Sequence, residues 1–293
     1  MVIPGSSAVK SNNFIAMILK NKLIGQVLDK KVEFLEIQDS FNNAEVINKK
    51  IYFIKHDNGF VKENKDLVVN RIKFFLKKYP VFFSVIYKLF GASLVGLSPE
   101  KFLKKIGPKN IILNLGSGVK TINKDVINID FYPFDNVDIV ADVSDIPVNS
   151  NSVDAIINES VLEHVDHPEK IVSEIYRLLK PGGYIYLSVP FIVSFHSSPD
   201  DYYRWTKRGL QTMMSRFTEI ETGVRYGPTS AMVYIVSEWL ATLLSFGFIR
   251  IQQYIFILLM IVLAPLNILD FLIYKIPSSE NIACGFYFVG KKK

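Results

Sequence analysis

Apolar and polar positions alternate in blocks through the middle of the chain, and the blocks have strand length. Asn110-Ile-Ile-Leu-Asn-Leu115 is an almost continuous apolar run between Pro108 and Gly116, the pattern of a parallel strand buried on both faces. Val126-Ile-Asn-Ile-Asp130, Val137-Asp-Ile-Val-Ala-Asp142, Val153-Asp-Ala-Ile-Ile-Asn158 and Tyr184-Ile-Tyr-Leu-Ser-Val189 repeat it. Between the last two the period changes. Asp166 or His167 stands where a helix cap belongs, Pro168 suits a first turn, and Ile171, Ile175, Leu178 and Leu179 form one apolar stripe. Lys180-Pro-Gly-Gly183 then stops the helix. Strands alternating with turns and a helix predict an α/β sandwich with a parallel sheet.

The pattern changes towards the C-terminus. Ser230–Ile249 carries one charge, Glu238, and Ile251–Leu269 carries none. An uncharged run of that length meets the roughly 18–20 residues needed to span a bilayer. Arg250 and Gly247 divide the two stretches, which predicts a helical hairpin over residues 230–277 that spans, re-enters or lies along a membrane. Glu238 would be costly at a bilayer centre, which favours an in-plane position. A pair of buried helices or a dimer interface is the competing reading. Near the N-terminus the apolar run Phe14–Leu19 is too short for a secretory signal. Lys31–Ile37 and Lys50–Lys55 read as short β-like pieces within a leader, residues 1–70, of undetermined fold.

Charge sharpens this division. The chain has 293 residues and a net charge of +6. From Arg71 to Lys105 there are eight basic residues against one acid, Glu100, interleaved with Phe74, Phe75, Tyr79, Phe82, Phe83, Tyr87 and Phe90. Residues 71–108 are therefore expected to be a basic, aromatic helical segment facing a membrane surface or packed on the next domain. The apolar fraction of 49% excludes a disordered chain. Cys284 is the only cysteine, which excludes a disulfide scaffold and a Cys-rich zinc site. No metal centre is expected.

The candidate chemistry lies at the ends of the predicted strands. Gly116-Ser-Gly118 follows the first one, where glycines let backbone approach a ligand. Thr121 stands where a dinucleotide fingerprint wants its third glycine, and no P-loop lysine is present. Asp130 and Asp142 end the second and third strands. As an ordered set, Leu113-Asn-Leu-Gly-Ser-Gly118, Ile129-Asp130, Ala141-Asp-Val-Ser-Asp-Ile-Pro147, Val161-Leu-Glu-His-Val165 and Leu179-Lys-Pro-Gly-Gly183 closely resemble the class I S-adenosylmethionine-dependent methyltransferases.

That resemblance implies a doubly wound, seven-stranded, mostly parallel Rossmann-like sheet. Phe217–Thr222 and Gly285–Val289 would supply the sixth strand and an antiparallel last strand. It also implies S-adenosylmethionine as cofactor. Asn114, Gly116, Ser117 and Gly118 would border its methionine moiety, Asp130 its ribose, and Asp142 and Val143 its adenine. Asn158 and Glu159 would line the methyl-donor end, with Glu163 and His164 ordering the loop beneath. Asp142 as a simple strand-end cap is the alternative. Between Gly118 and Val126 there is little room for the usual first helix. This resembles a subgroup of bacterial surface-polysaccharide methyltransferases, which share the short linker, an apolar insert before the last strand, and a segment like Phe195-His-Ser-Ser-Pro-Asp-Asp-Tyr-Tyr-Arg-Trp-Thr206.

His196 in that segment is the candidate base, and Asp200, Tyr203 and Arg204 are the candidate acceptor contacts. The structural alternative pairs Asp201 with Arg204 and packs Tyr203 and Trp205 under Leu210, Met213, Met214 and Phe217. The expected division is a core at 109–229, the insert at 230–277, and the last strand with a basic tail at 278–293. The expected function is methyl transfer, as O-methylation, to a small-molecule or lipid-linked sugar acceptor on the cytoplasmic face of the cell membrane. A catalytically inactive scaffold of the same fold is the alternative. A nucleic-acid partner is not expected, because the basic stretch is aromatic rather than a groove of lysines and arginines.

Overall fold

The computed structural model describes residues 45–47, 50–54, 79, 86, 90–109, 111–195 and 200–293. The basic stretch up to residue 89, apart from 79 and 86, lies outside them, as do Lys31–Ile37 and His196. The elements are β1 (Glu45–Ile47), β2 (Lys50–Tyr52), α1 (Pro99–Ile106), β3 (Ile112–Leu115), β4 (Ile127–Asp130), β5 (Ile139–Val140), β6 (Val153–Glu159), α2 (Pro168–Leu178), β7 (Leu179–Pro190), α3 (Lys207–Met213), β8 (Phe217–Tyr226), α4 (Pro228–Leu244), α5 (Ile249–Leu263), α6 (Asp270–Ile273) and β9 (Gly285–Lys292).

Among the described residues the sheet has nine strands rather than the expected seven, in the order β1-β2-β5-β4-β3-β6-β7-β9-β8. The parallel run from β5 through β7 is the expected one. β9 enters antiparallel between β7 and β8, so the last strand closes the sheet from within. The excess lies at the other edge. β2 pairs parallel with β5, and β1 folds back on β2. Lys50 fixes that edge by donating to the Phe134, Asp135 and Val137 carbonyls at 2.6, 2.9 and 3.0 Å. β2 lies within the β-like piece Lys50–Lys55, but a sequence reading could not assign it to this sheet, because Ile51 pairs with Ile139, 88 positions away.

One face of the sheet buries Leu113, Leu115, Ile129, Ile156 and Leu187 beneath the stripes of α2 and α3. The other buries Ile112, Ala155, Ile157 and Tyr186 beneath Phe102 of α1. The crossovers β3–β4, β4–β5 and β5–β6 are turns, and α2 supplies the helix between β6 and β7. The short first linker is thus a loop, as the seven residues between Gly118 and Val126 dictate. Among the described residues, the segments that follow the C-terminal ends of β3, β4 and β5 are turns and bends. After β8 the chain makes the α4–α5 hairpin and a 3₁₀ stretch, Ala264–Leu269, before α6.

Candidate active site

The site is built on strand ends that the register brings level. Leu115 lies opposite Ile129 on one side and Asn158 on the other, and Asp130 lies opposite Val140. Gly116, Asp130, Asp142 and Asn158 therefore share the C-terminal edge of the sheet, where open α/β folds bind ligands.

The turn after β3 requires glycine. Gly116 has φ +69° and Gly118 φ +54°, a region that side chains rarely adopt. A Cβ on Gly116 would lie 2.3 Å from Val161 Cγ2, whereas one on Gly118 would meet open space. Ile129 O accepts from the Gly116 and Ser117 N–H groups at 2.8 and 3.2 Å, which stitches the turn to β4. Asp130 is buried; its Oδ2 accepts from Gly118 N–H at 2.7 Å and its Oδ1 from Tyr132 N–H at 2.8 Å. The aspartate thereby holds the glycine turn and the β4 exit together.

Asn114 points away from the turn. It is buried and donates to Asn128 Oδ1 at 3.1 Å, and Asn128 in turn donates to the Asn136 carbonyl at 2.9 Å. Its role is to tie β3 to β4. Ser117 is buried within the turn. Asp142 is exposed, and its Oδ1 accepts from Ser144 N–H and Oγ–H at 2.8 and 2.7 Å, the geometry of a local turn cap. Val143 packs against the main core. Asn158 is fully buried; its amide donates to Leu115 O at 3.2 Å, while its Oδ1 has no hydrogen-bond partner. Glu159 pairs with Lys120 above the glycine turn and with Arg225 Nη2 at 3.3 Å.

In the candidate acceptor segment, Asp201 and Arg204 form a bidentate pair at 2.5 and 2.6 Å. Arg204 also donates to Ser194 O at 3.2 Å, so the guanidinium shapes the loop that leads into residues 196–199. Tyr203 donates to Asp166 O at 2.9 Å and its ring lies 5.6 Å from that of buried Trp205. Asp200 is exposed, and its carbonyl bonds His164 Nδ1 at 2.5 Å. The structural alternative for Asp201 and Arg204 is thus realised. His196 cannot be placed, as it lies outside the described residues.

Three groups gained importance only in the fold. Glu163 is fully buried with both carboxyl oxygens unbonded, and burial pushes its carboxyl up to about 8. Its backbone carbonyl accepts from Tyr202 N–H at 2.7 Å, a link between the two segments that does not involve its side chain. Arg225 is 1% exposed, lies over the Tyr226 ring, and leaves Nε and Nη1 without partners. Tyr226 bridges Ser160 at 2.9 Å and Ser188 at 3.2 Å, and burial raises its hydroxyl to about 12, so it stays neutral. Nothing in the local sequence marks residues whose hydrogen-bond partners lie 38 to 66 positions away.

These features fit a nucleotide-like donor. A glycine turn open on its ligand side, an aspartate at the next strand end and an orphaned buried acceptor on Asn158 are what such a group would need.

Residues 119–187 match the methyltransferase domain family. A probable S-adenosylmethionine-dependent methyltransferase of Mycolicibacterium smegmatis is 34% identical over 58 residues, which cover 20% of this chain and 23% of that one. Phosphoethanolamine N-methyltransferase 2 of Haemonchus contortus, solved with S-adenosylmethionine, is similar with a TM-score of 0.45 and 16% identity over 75% of this chain and 59% of that one. An S-adenosylmethionine-dependent methyltransferase of Thermotoga maritima gives a TM-score of 0.41 and 14% identity over 75% and 99%. The chain thus spans about a quarter of the curated relative it matches. The domain has the Rossmann-like methyltransferase fold. The stretch that resembles S-adenosylmethionine-dependent methyltransferases in sequence is thus confined to the central strands and turns of the sheet.

Proposed function

We propose that the protein is an S-adenosylmethionine-dependent methyltransferase that O-methylates a small-molecule or lipid-linked sugar acceptor, with the apolar insert holding it at the inner face of the cell membrane. The observation that carries this reading is the left-handed Gly116–Gly118 turn clasped by Asp130 at the sheet's C-terminal edge. When bound, the donor supplies an electrophilic methyl group on a sulfonium.

The chain's own residues do the rest. The glycine turn lets backbone N–H groups approach the donor, Asp130 meets the ribose, and Asp142 with Val143 flanks the adenine. The orphaned Oδ1 of Asn158 accepts from the amino-acid end, beside Glu159. Methyl transfer is an in-line displacement, so the acceptor oxygen must be held close and aligned. The loop framed by Asp200, Tyr203 and Arg204 performs that positioning. His196 takes the hydroxyl proton, a role suited to an imidazole that titrates near neutrality.

Calorimetric titration with S-adenosylhomocysteine tests the donor site. The wild type should bind, and Asp130→Ala should lose at least about tenfold in affinity, the cost of about 1.4 kcal/mol. An absence of binding to the folded wild type would favour the inactive scaffold. His196→Ala should retain donor binding and lose turnover in a screen of nucleotide-linked and lipid-linked sugars.

A further inference from the structure

The α4–α5 hairpin is built inside out for a protein in water. Its inner seam is small and polar: Ser237 and Ala241 are fully buried and Ser245 nearly so. Its large apolar side chains point outward, with Trp239, Leu243, Phe246, Leu258 and Val262 exposed by 62, 58, 86, 58 and 61%. Helices in water bury Leu and Phe and expose polar residues. Helices in lipid do the opposite, packing through small residues that let backbones approach.

Burial also falls along the hairpin. Thr229, Ser230 and Ala231 at its root are buried, whereas from Thr242 to Ile251 every residue but Ser245 is exposed. The hairpin therefore projects from the catalytic domain. Its root is rigid. Asp270 accepts from Thr229 N–H, Ser230 N–H and Ser230 Oγ–H at 2.5, 3.1 and 2.7 Å. Ser230 Oγ accepts from Ser93 N–H at 2.8 Å, and Asn267 donates to Gly91 O at 3.1 Å.

From this geometry we propose that the hairpin enters a lipid bilayer tip first as a re-entrant loop, deepening the proposed function by naming how the site meets its lipid-linked acceptor. One carboxylate oxygen of Glu238, the residue that argued against insertion, is engaged within the hairpin. Gln252 donates to its Oε1 at 2.7 Å and to Thr242 Oγ1 at 3.2 Å. An in-plane helix needs a polar outer face, but here the polar side chains face each other across the seam.

The length agrees. The 17 residues of α4 rise about 25 Å, short of the hydrocarbon core of about 30 Å. Lys275, exposed just beyond α6, lies at the near face. A cation at the root suits the anionic headgroups of an inner leaflet. A second copy of the chain would cover one side of the hairpin and leave the tip in water, so lipid fits the all-round exposure better. Ile192 and Val193, which precede the candidate acceptor segment, pack with Tyr234 on the buried cluster that includes Ala231 of the root. An acceptor anchored in the same leaflet would thus meet the loop where the hairpin enters.

Depth measurement decides this. Full-length Phe246→Cys and Met232→Cys proteins, each in a Cys284→Ser background, are labelled with a fluorophore and added to phosphatidylcholine–phosphatidylglycerol vesicles. Lipids brominated near the headgroup or near the chain ends act as quenchers. The tip label should be quenched most by chain-end bromines and the root label by headgroup-proximal ones. A Leu243→Glu, Leu258→Glu double variant should lose vesicle binding by at least about tenfold while keeping S-adenosylhomocysteine affinity. Equal shallow depth at both labels would overturn the proposal in favour of in-plane docking. No vesicle binding, with a dimer on sedimentation, would overturn it in favour of a second copy. Titration of the same samples with S-adenosylhomocysteine keeps the two readings apart, because failure of donor binding with correct depths counts against the methyltransferase reading alone.

Discussion

Gly116 and Glu163 show what a single residue carries at this site. Gly116→Ala combines a left-handed φ with a Cβ 2.3 Å from Val161 Cγ2. The substitution should cost about 1–3 kcal/mol and weaken S-adenosylhomocysteine binding, read by thermal melting and calorimetry. Glu163 makes the opposite case, a residue that is wrong for its place. Its carboxyl, raised to about 8 by burial, keeps a proton in the folded state that the unfolded chain releases above the ordinary carboxylate range. The folded state then binds more protons than the unfolded one, so stability falls as pH rises from that range to about 8 and levels off beyond it. Glu163→Gln should flatten that decline and raise the melting temperature at pH 8 by roughly 5 °C. An unchanged slope would mean that the carboxyl is ionised in the fold.

At the scale of elements, the root of the hairpin is the informative junction. α4 begins on Gly227, which offers no side-chain cap, so its first N–H groups rely on Asp270, supplied from α6. Asp270→Ala should cost about 2 kcal/mol, the upper end for losing a helix cap, and should speed hydrogen exchange at Thr229 and Ser230. Asp270→Asn keeps one acceptor and should fall between the two.

The strand elements were legible because a buried parallel strand writes itself as a continuous apolar run; β3, β4, β6 and β7 lie where those runs stand. The third run shrank to two residues, Ile139–Val140, because a strand's length depends on how much of its neighbour is there to pair. β1 and β2 were invisible as parts of the sheet for the same reason.

At the scale of the molecule, the chain is a methyltransferase-fold domain carrying an apolar projection. Replacing residues 236–260 with a short Gly-Ser turn removes the projection and spares its root, Ser230, Asn267 and Asp270. The trimmed protein should stay soluble without detergent and bind S-adenosylhomocysteine as the full chain does. Aggregation of the trimmed protein with intact donor binding would show that the projection stabilises the domain instead. The averages of the sequence, +6 in charge and +0.22 in mean hydropathy, describe neither part.

The sequence by itself determined the strands, the glycine turn, the acids at the strand ends and the hairpin, because each is written in local periodicity or in a conformation that only glycine adopts cheaply. The tertiary structure decided the rest. It turned Asn114 into a strand tie, spent Arg204 on Asp201, buried Glu163 and Arg225 beside the site, and gave α4 its cap from a residue 41 positions away. Burial and pairing are properties of neighbours in space, and an isolated sequence window does not contain them.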